Sequence, residues 1–248
     1  EVLQWLGEQD FGRGGGGGRW VAGGCSAGSI GLQLWAPALL SQHGFSELIM
    51  DSYMGLTPPY AENFWDLINL CESASTTLRW PSAIVNQCRA KAFEIPELTQ
   101  ALLWAMPETP TLYFGSEDDV IQRGFYVISA GDMAGPKEAF TEAAAYINAE
   151  FTPLLLSQMD KYSNVSKQFQ PSLVPGAQHC FLPQSSLYSE DGEGFLQAVT
   201  TFLNQSADVT GTGTPPANDG ADDSASIAFW PSFVGLLLAL PLLQLQLL

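Results

Sequence analysis

The chain has 248 residues, a hydrophobic content of 46% and a formal net charge of -17. That length and apolar content suffice for one sizeable α/β domain. The charge excludes nucleic acid as a partner, because the 9 Lys and Arg are scattered and form no basic patch to meet phosphates.

In chain order, Glu1 to Asp10 carries Val2, Leu3, Trp5 and Leu6 at the spacing of an amphipathic helix, and the glycine tract Gly14 to Gly18 leads from it into an apolar strand at Arg19 to Gly23. A domain opening in this way is expected to have its first strands upstream of Glu1. Gly24-Cys25-Ser26-Ala27-Gly28 follows and reads Gly-x-Ser-x-Gly. Beyond it Ile30, Leu32, Leu34, Leu39 and Leu40 mark an apolar helix. Strand, sharp turn and helix are the context of a nucleophile elbow, in which glycine is expected both two before and two after the serine. Ser26 is therefore the candidate nucleophile, with the first amides of the helix facing any oxyanion beside it.

Leu48-Ile49-Met50 reads as the next strand and ends on Asp51. Cys71 and Cys88 bracket a loop-rich segment containing Pro81, and a disulfide between them is expected in an oxidising compartment. The 4 cysteines show no zinc-ligand spacing. Cys25 is expected, by strand alternation, to point away from Ser26 into the protein. Thr111-Leu112-Tyr113-Phe114 reads as a strand that runs through Gly115-Ser116-Glu117-Asp118-Asp119 into a helix opening at Val120-Ile121-Gln122.

A serine hydroxyl needs a base, and the chain offers only His43 and His179. The helix after Ser26 carries His43 away from the elbow. His179 lies in the loop Pro175 to Phe181, after a strand around Ser172 to Val174, and obeys the order nucleophile, acid, histidine. The acid that orients it is Asp118 or Asp119, both of which also suit a helix N-cap, with Asp51 as the rival.

Asn164-Val165-Ser166 and Asn204-Gln205-Ser206 are glycan acceptors in a secreted chain. The final helix of the domain is expected at Phe195 to Asn204. Residues 206–226 turn to Asp, Gly, Thr, Pro and Ala and read as a disordered linker, while 227–248 are apolar and uncharged. The latter has the form of a glycolipid-anchor signal, with Gly220-Ala221-Asp222, Asn218 or Ser224 as the cleavage position. A transmembrane segment is the alternative, opposed by Pro231, Pro241 and the lack of a basic flank. Either one places the folded residues 1–205 at the outer face of a membrane or in a lumen.

Over most of residues 1–205 the chain resembles the pectin acetylesterase and Notum family of serine carboxylesterases. The resemblance is carried by Gly24 to Gly28, Leu48-Ile49-Met50-Asp51-Ser52, Asp119-Val120-Ile121-Gln122 with Phe125-Tyr126, and His179-Cys180. It implies an α/β-hydrolase-like, mostly parallel sheet flanked by helices, here without its N-terminal strands. It implies Ser26 as nucleophile and His179 as base, and it selects Asp119 over Asp118, because the family's acid stands three residues before a glutamine. The Ala27 amide would be one oxyanion donor, the others preceding Glu1. The implied reaction, without cofactor, is hydrolysis of an O-acyl ester: an acetyl group on a cell-wall polysaccharide such as pectin, or an acyl chain on a secreted protein. Trp65, Trp80 and Trp104 are candidates for the acyl pocket. The chain departs from the family at Gly28-Ser29, where many members have Gly-Gly, and in the additional Asp118. A surface-anchored binding protein without turnover is the competing expectation, and a serine peptidase on the same scaffold a third.

Overall fold

Three short apolar runs become strands because each can bury both of its faces, β1 Trp20–Cys25, β2 Glu47–Asp51 and β3 Thr111–Ser116, and a fourth, β4 Phe169–Val174, is buried only at Phe169. Every residue of β2 and β3 is buried, the pattern of parallel strands covered by helices on both sides. A computed structural model describes residues 20–43, 45–56, 70–90, 95–130, 137–182, 190–209 and 226–229. The opening helix and glycine tract, Trp65, and most of the linker and apolar tail lie outside those residues.

The sheet is parallel throughout, in the order β4-β3-β2-β1. Sequential strands are thus spatial neighbours, each linked to the next by a helical crossover. At the free edge of β1 a fifth strand, β5 (Ser226–Phe229), pairs in parallel, with Trp20 opposite Ser226. An edge strand has unsatisfied amides and carbonyls, which this short segment meets.

Seven helices are described: α1 Ala27–His43, α2 Leu70–Thr76, α3 Ser82–Arg89, α4 Ile95–Ala105, α5 Val120–Ala130, α6 Lys137–Val165 and α7 Glu190–Val209. Strand alternation divides the core into two layers. Ala22, Leu48, Met50 and Tyr113 pack against Leu32 and Leu39 of α1 and Phe151, Leu155 and Tyr162 of α6. Val21, Ile49, Leu112 and Phe114 face the other way, onto Phe195, Val199 and Phe202 of α7 and onto Phe181. A third cluster joins Leu34 of α1 to α2, α3 and α4. There Cys71 of α2 is bonded to Cys88 of α3, as the sequence predicts, and Trp80 donates to the Leu34 carbonyl at 2.8 Å. Trp80 is therefore core, whereas Trp104 is 72% exposed.

The chain is an α/β protein with a parallel sheet flanked by helices. Two expected boundaries move: α7 continues past residue 205 to Val209, and Ser226–Phe229, at the expected junction of linker and tail, is a strand. Among the described residues no helix is long and apolar enough to cross a membrane.

Candidate active site

In open parallel sheets, ligands meet the loops that leave the carboxyl ends of the strands. Here four such ends stand side by side and carry Ser26, Ser52, Asp119 and His179.

Ser26 forms the turn between β1 and α1 with φ 54, a left-handed conformation that side chains normally avoid. Its amide donates to the Asp51 carbonyl at 3.0 Å, and its own carbonyl accepts from Ser29 at 2.9 Å and Ile30 at 3.2 Å. The serine is thereby fixed between strand and helix. Of the two glycines expected around it, only Gly24 is sterically required: a Cβ there would collide with the Gly28 carbonyl oxygen, whereas one on Gly28 meets nothing within 4 Å. Chain flow explains the difference, since Gly24 lies under the returning helix backbone and Gly28 faces open space. Ala27 is the first residue of α1, so its amide has no carbonyl upstream in the helix. Beneath the elbow, buried Ser29 donates to the Tyr53 carbonyl at 2.6 Å, and Gln33 donates to the same carbonyl at 3.2 Å. Thr99 of α4 donates to Gln33 at 2.7 Å. The Gly28-Ser29 departure thus gives the first turn of α1 an anchor.

Asp119 is fully buried and accepts four hydrogen-bond donors. Its Oδ1 caps α5, accepting the amides of Ile121 at 3.0 Å and Gln122 at 2.9 Å, and its Oδ2 accepts Gln122 Nε2 at 2.9 Å. His179 Nδ1 completes the set at 3.0 Å from Oδ1 and 2.8 Å from Oδ2. N-cap and histidine partner, alternatives in the sequence, are one residue here. With the carboxylate as acceptor, Nδ1 carries a proton. Asp118 points outward instead and pairs with Arg123. His43 closes α1, a helix of 17 residues. At ~1.5 Å of rise per residue this end lies roughly 25 Å from the elbow.

Asp51 is not the partner of the imidazole. Its Oδ2 accepts the amides of Phe181 and Leu182, both at 2.7 Å, and its Oδ1 accepts Ser52 Oγ at 2.7 Å. Ser52 Oγ in turn accepts the Cys180 amide at 3.0 Å. Burial pushes the Asp51 carboxyl above the usual range, against the pull of the Leu182 amide, Ser52, the Phe181 amide and His179. Three amides of the histidine loop are thus seated on the end of β2. Ser52 and Cys180 share the left-handed backbone of Ser26, with φ of 58 and 65, so strain concentrates where the three segments meet.

A disulfide that the sequence reading does not pair joins Cys25 to Cys180, with Cα atoms 5.6 Å apart. Alternation does set Cys25 on the face of Val21 and Gly23, but that face is covered by the histidine loop, where Leu182 touches the Gly23 position. Cys25 therefore meets Cys180. The bridge binds the residue before Ser26 to the residue after His179, and a ring nitrogen of His179 lies within 4.8 Å of both sulfurs. None of the described hydrogen bonds joins Ser26 Oγ to the ring. The signal for the bridge was present in the sequence: if Ser26 and His179 converge, their flanking cysteines must converge too. The acceptor residues Asn164 and Asn204 are exposed, on α6 and α7.

Compared with models of protein families, with curated proteins and with solved structures, the chain matches none.

Proposed function

We propose that the chain is a serine carboxylesterase on an α/β-hydrolase-like scaffold, of the pectin acetylesterase and Notum kind. His179 Nε2 takes the proton of Ser26 Oγ as that oxygen attacks the acyl carbonyl. The alcohol leaves with a proton from the imidazolium, and water, deprotonated by the same nitrogen, releases the acid. Asp119 holds the ring in the required tautomer and stabilises its charged form. The Ala27 amide faces the developing oxyanion. The substrate class is an O-acyl ester, an acetyl group on a polysaccharide or an acyl chain on a protein. The disulfides and the exposed Asn164 and Asn204 suit an extracellular or lumenal location.

One observation carries this reading. A buried carboxylate holds a histidine through Nδ1, and a disulfide fastens that histidine's loop beside a strained serine at a strand-to-helix turn. A histidine merely packed under a loop would need neither the strained serine nor the bridge. Hydrolysis of p-nitrophenyl acetate by the full chain and by Ser26→Ala tests it. The expected loss in the variant is about a thousandfold or more. Equal rates would remove the esterase and leave a binding protein on this fold.

A further inference from the structure

Tyr113 and Phe114 are both fully buried in β3, and only the first brings a polar atom into the core. Strand alternation puts Gly115 on the same face as Tyr113, and a Cβ on Gly115 would stand 2.6 Å from Tyr113 Oη and 3.1 Å from its Cζ. The phenol therefore runs along the strand, over the glycine, and delivers its hydroxyl towards the carboxyl end of β3. Burial holds that hydroxyl protonated, well above its ordinary ionisation range; Gln122 pulls the other way as a hydrogen-bonding neighbour, and the charges of Asp119 and Asp51 add to the rise. Tyr113 Oη and Gln122 Oε1 are nevertheless both without a bonded partner among the described residues. A donor and an acceptor are thus left over on neighbouring buried side chains. One small adjustment of the phenol or the amide joins them, and burial drives it, since each atom otherwise gives up water for nothing.

The other end of the Gln122 amide is engaged: Nε2 donates to Asp119 Oδ2 at 2.9 Å. Asp119 Oδ1 is held separately, by the backbone amides of Ile121 and Gln122. A carboxylate held at one oxygen can swivel about it, whereas one held at both has a fixed plane. That plane sets where Nδ1 of His179 finds its acceptor, 2.8 Å from Oδ2. We propose that Tyr113 and Gln122 are a positioning pair for the histidine: the Tyr113 hydroxyl donates to Gln122 Oε1, and the amide so held keeps Asp119 Oδ2 in line with the Nδ1 proton. Neither residue touches a reacting atom. Gly115 belongs to the same device, because a side chain there would displace the hydroxyl. As an aid to ester hydrolysis the pair rests on the esterase reading; as a support of the Asp119–His179 bond it does not.

Proton NMR of the full chain at low temperature, without substrate, is the test. The Nδ1 proton shared with the buried carboxylate should give a resonance well downfield of the amides, absent in His179→Asn and in Asp119→Asn. Tyr113→Phe and Gln122→Met both leave the backbone amides of the cap in place. Each should move the resonance upfield and speed its exchange with water, and the double variant should do no more than Gln122→Met alone, because the hydroxyl acts through the amide. Should Gln122→Met fail to fold, Gln122→Glu keeps the shape, removes the amide donor and should displace the resonance in the same direction. No such resonance in the folded parent overturns the pair. So does one that stays in place or moves downfield in variants whose circular dichroism matches the parent, and so does additivity in the double variant. With p-nitrophenyl acetate, Gln122→Met should lower kcat about 10- to 100-fold with KM unchanged, and Tyr113→Phe should lower it by less. A raised KM at constant kcat would make Gln122 a binding residue and overturn its positioning role. A chain that shows the upfield shifts yet hydrolyses no ester sinks the esterase reading and leaves the pair standing; undiminished hydrolysis with an unmoved resonance in both variants does the opposite.

Discussion

Gly24 and Gly28 look equivalent in the sequence, and the elbow treats them differently. A side chain on Gly24 runs into the Gly28 carbonyl, while Gly28 has open space and lies in the first turn of α1. Gly24→Ala should destabilise the protein by about 1–3 kcal/mol in urea unfolding, with backbone shifts that displace Ser26. Gly28→Ala should be neutral or stabilising by up to about 1 kcal/mol, because alanine loses less chain entropy in a helix. Equal penalties would contradict this account of the turn. Much of the site is legible at this scale. Ser26 stands in a recognisable pentapeptide, and His179 wins by elimination of His43. The choice of Asp119 over Asp118 comes from resemblance alone, since burial and outward pairing are properties of the folded loop. Asp51 illustrates the limit: a carboxylate at a strand end suits either an imidazole or backbone amides, and only the position of the histidine loop decides.

Between elements, the principal contact is the seating of that loop on the end of β2 through Asp51 and Ser52. Asp51 has a folded-state pKa raised mainly by burial. A carboxyl whose pKa is higher folded than unfolded adds stability that is fully present below the unfolded value of about 3.9 and is lost as pH rises through the folded value. Asp51→Asn cannot ionise. Whatever its constant offset, its stability relative to the parent should therefore improve between about pH 4 and pH 7, read by denaturant midpoints across that range. A difference that moves the opposite way would show that the amide bonds outweigh burial. The elements themselves were largely visible. Apolar runs predicted β1 to β3 near their observed positions, as buried parallel strands allow. β4 was caught only at its end, because its early residues Phe169 and Gln170 do not alternate with the rest. β5 was hidden, because its pairing depends on a free sheet edge rather than on its own four residues.

Across the whole molecule, two disulfides span very different lengths of chain, 17 residues for Cys71–Cys88 and 155 for Cys25–Cys180. On the chain-entropy view the first contributes about 3 kcal/mol and the second about 5 kcal/mol. Cys25→Ser/Cys180→Ser should thus lower the unfolding free energy more than Cys71→Ser/Cys88→Ser; the reverse order would mean that the short bridge carries the α2–α3 unit by itself. Spacing predicted the local bridge, whereas the long one follows only when Ser26 and His179 are placed together, at the rim where the carboxyl ends of β1 and β4 meet. That convergence is the centre of the proposed function, in which one imidazole would activate one serine across 153 positions of sequence. An alkyl fluorophosphonate reacts with a serine whose hydroxyl a neighbouring base has activated, and mass spectrometry of the digested adduct reads out the site. The label should fall on Ser26, and both Ser26→Ala and His179→Asn should abolish it. No adduct on the folded chain, or one that persists undiminished in Ser26→Ala, would contradict the account.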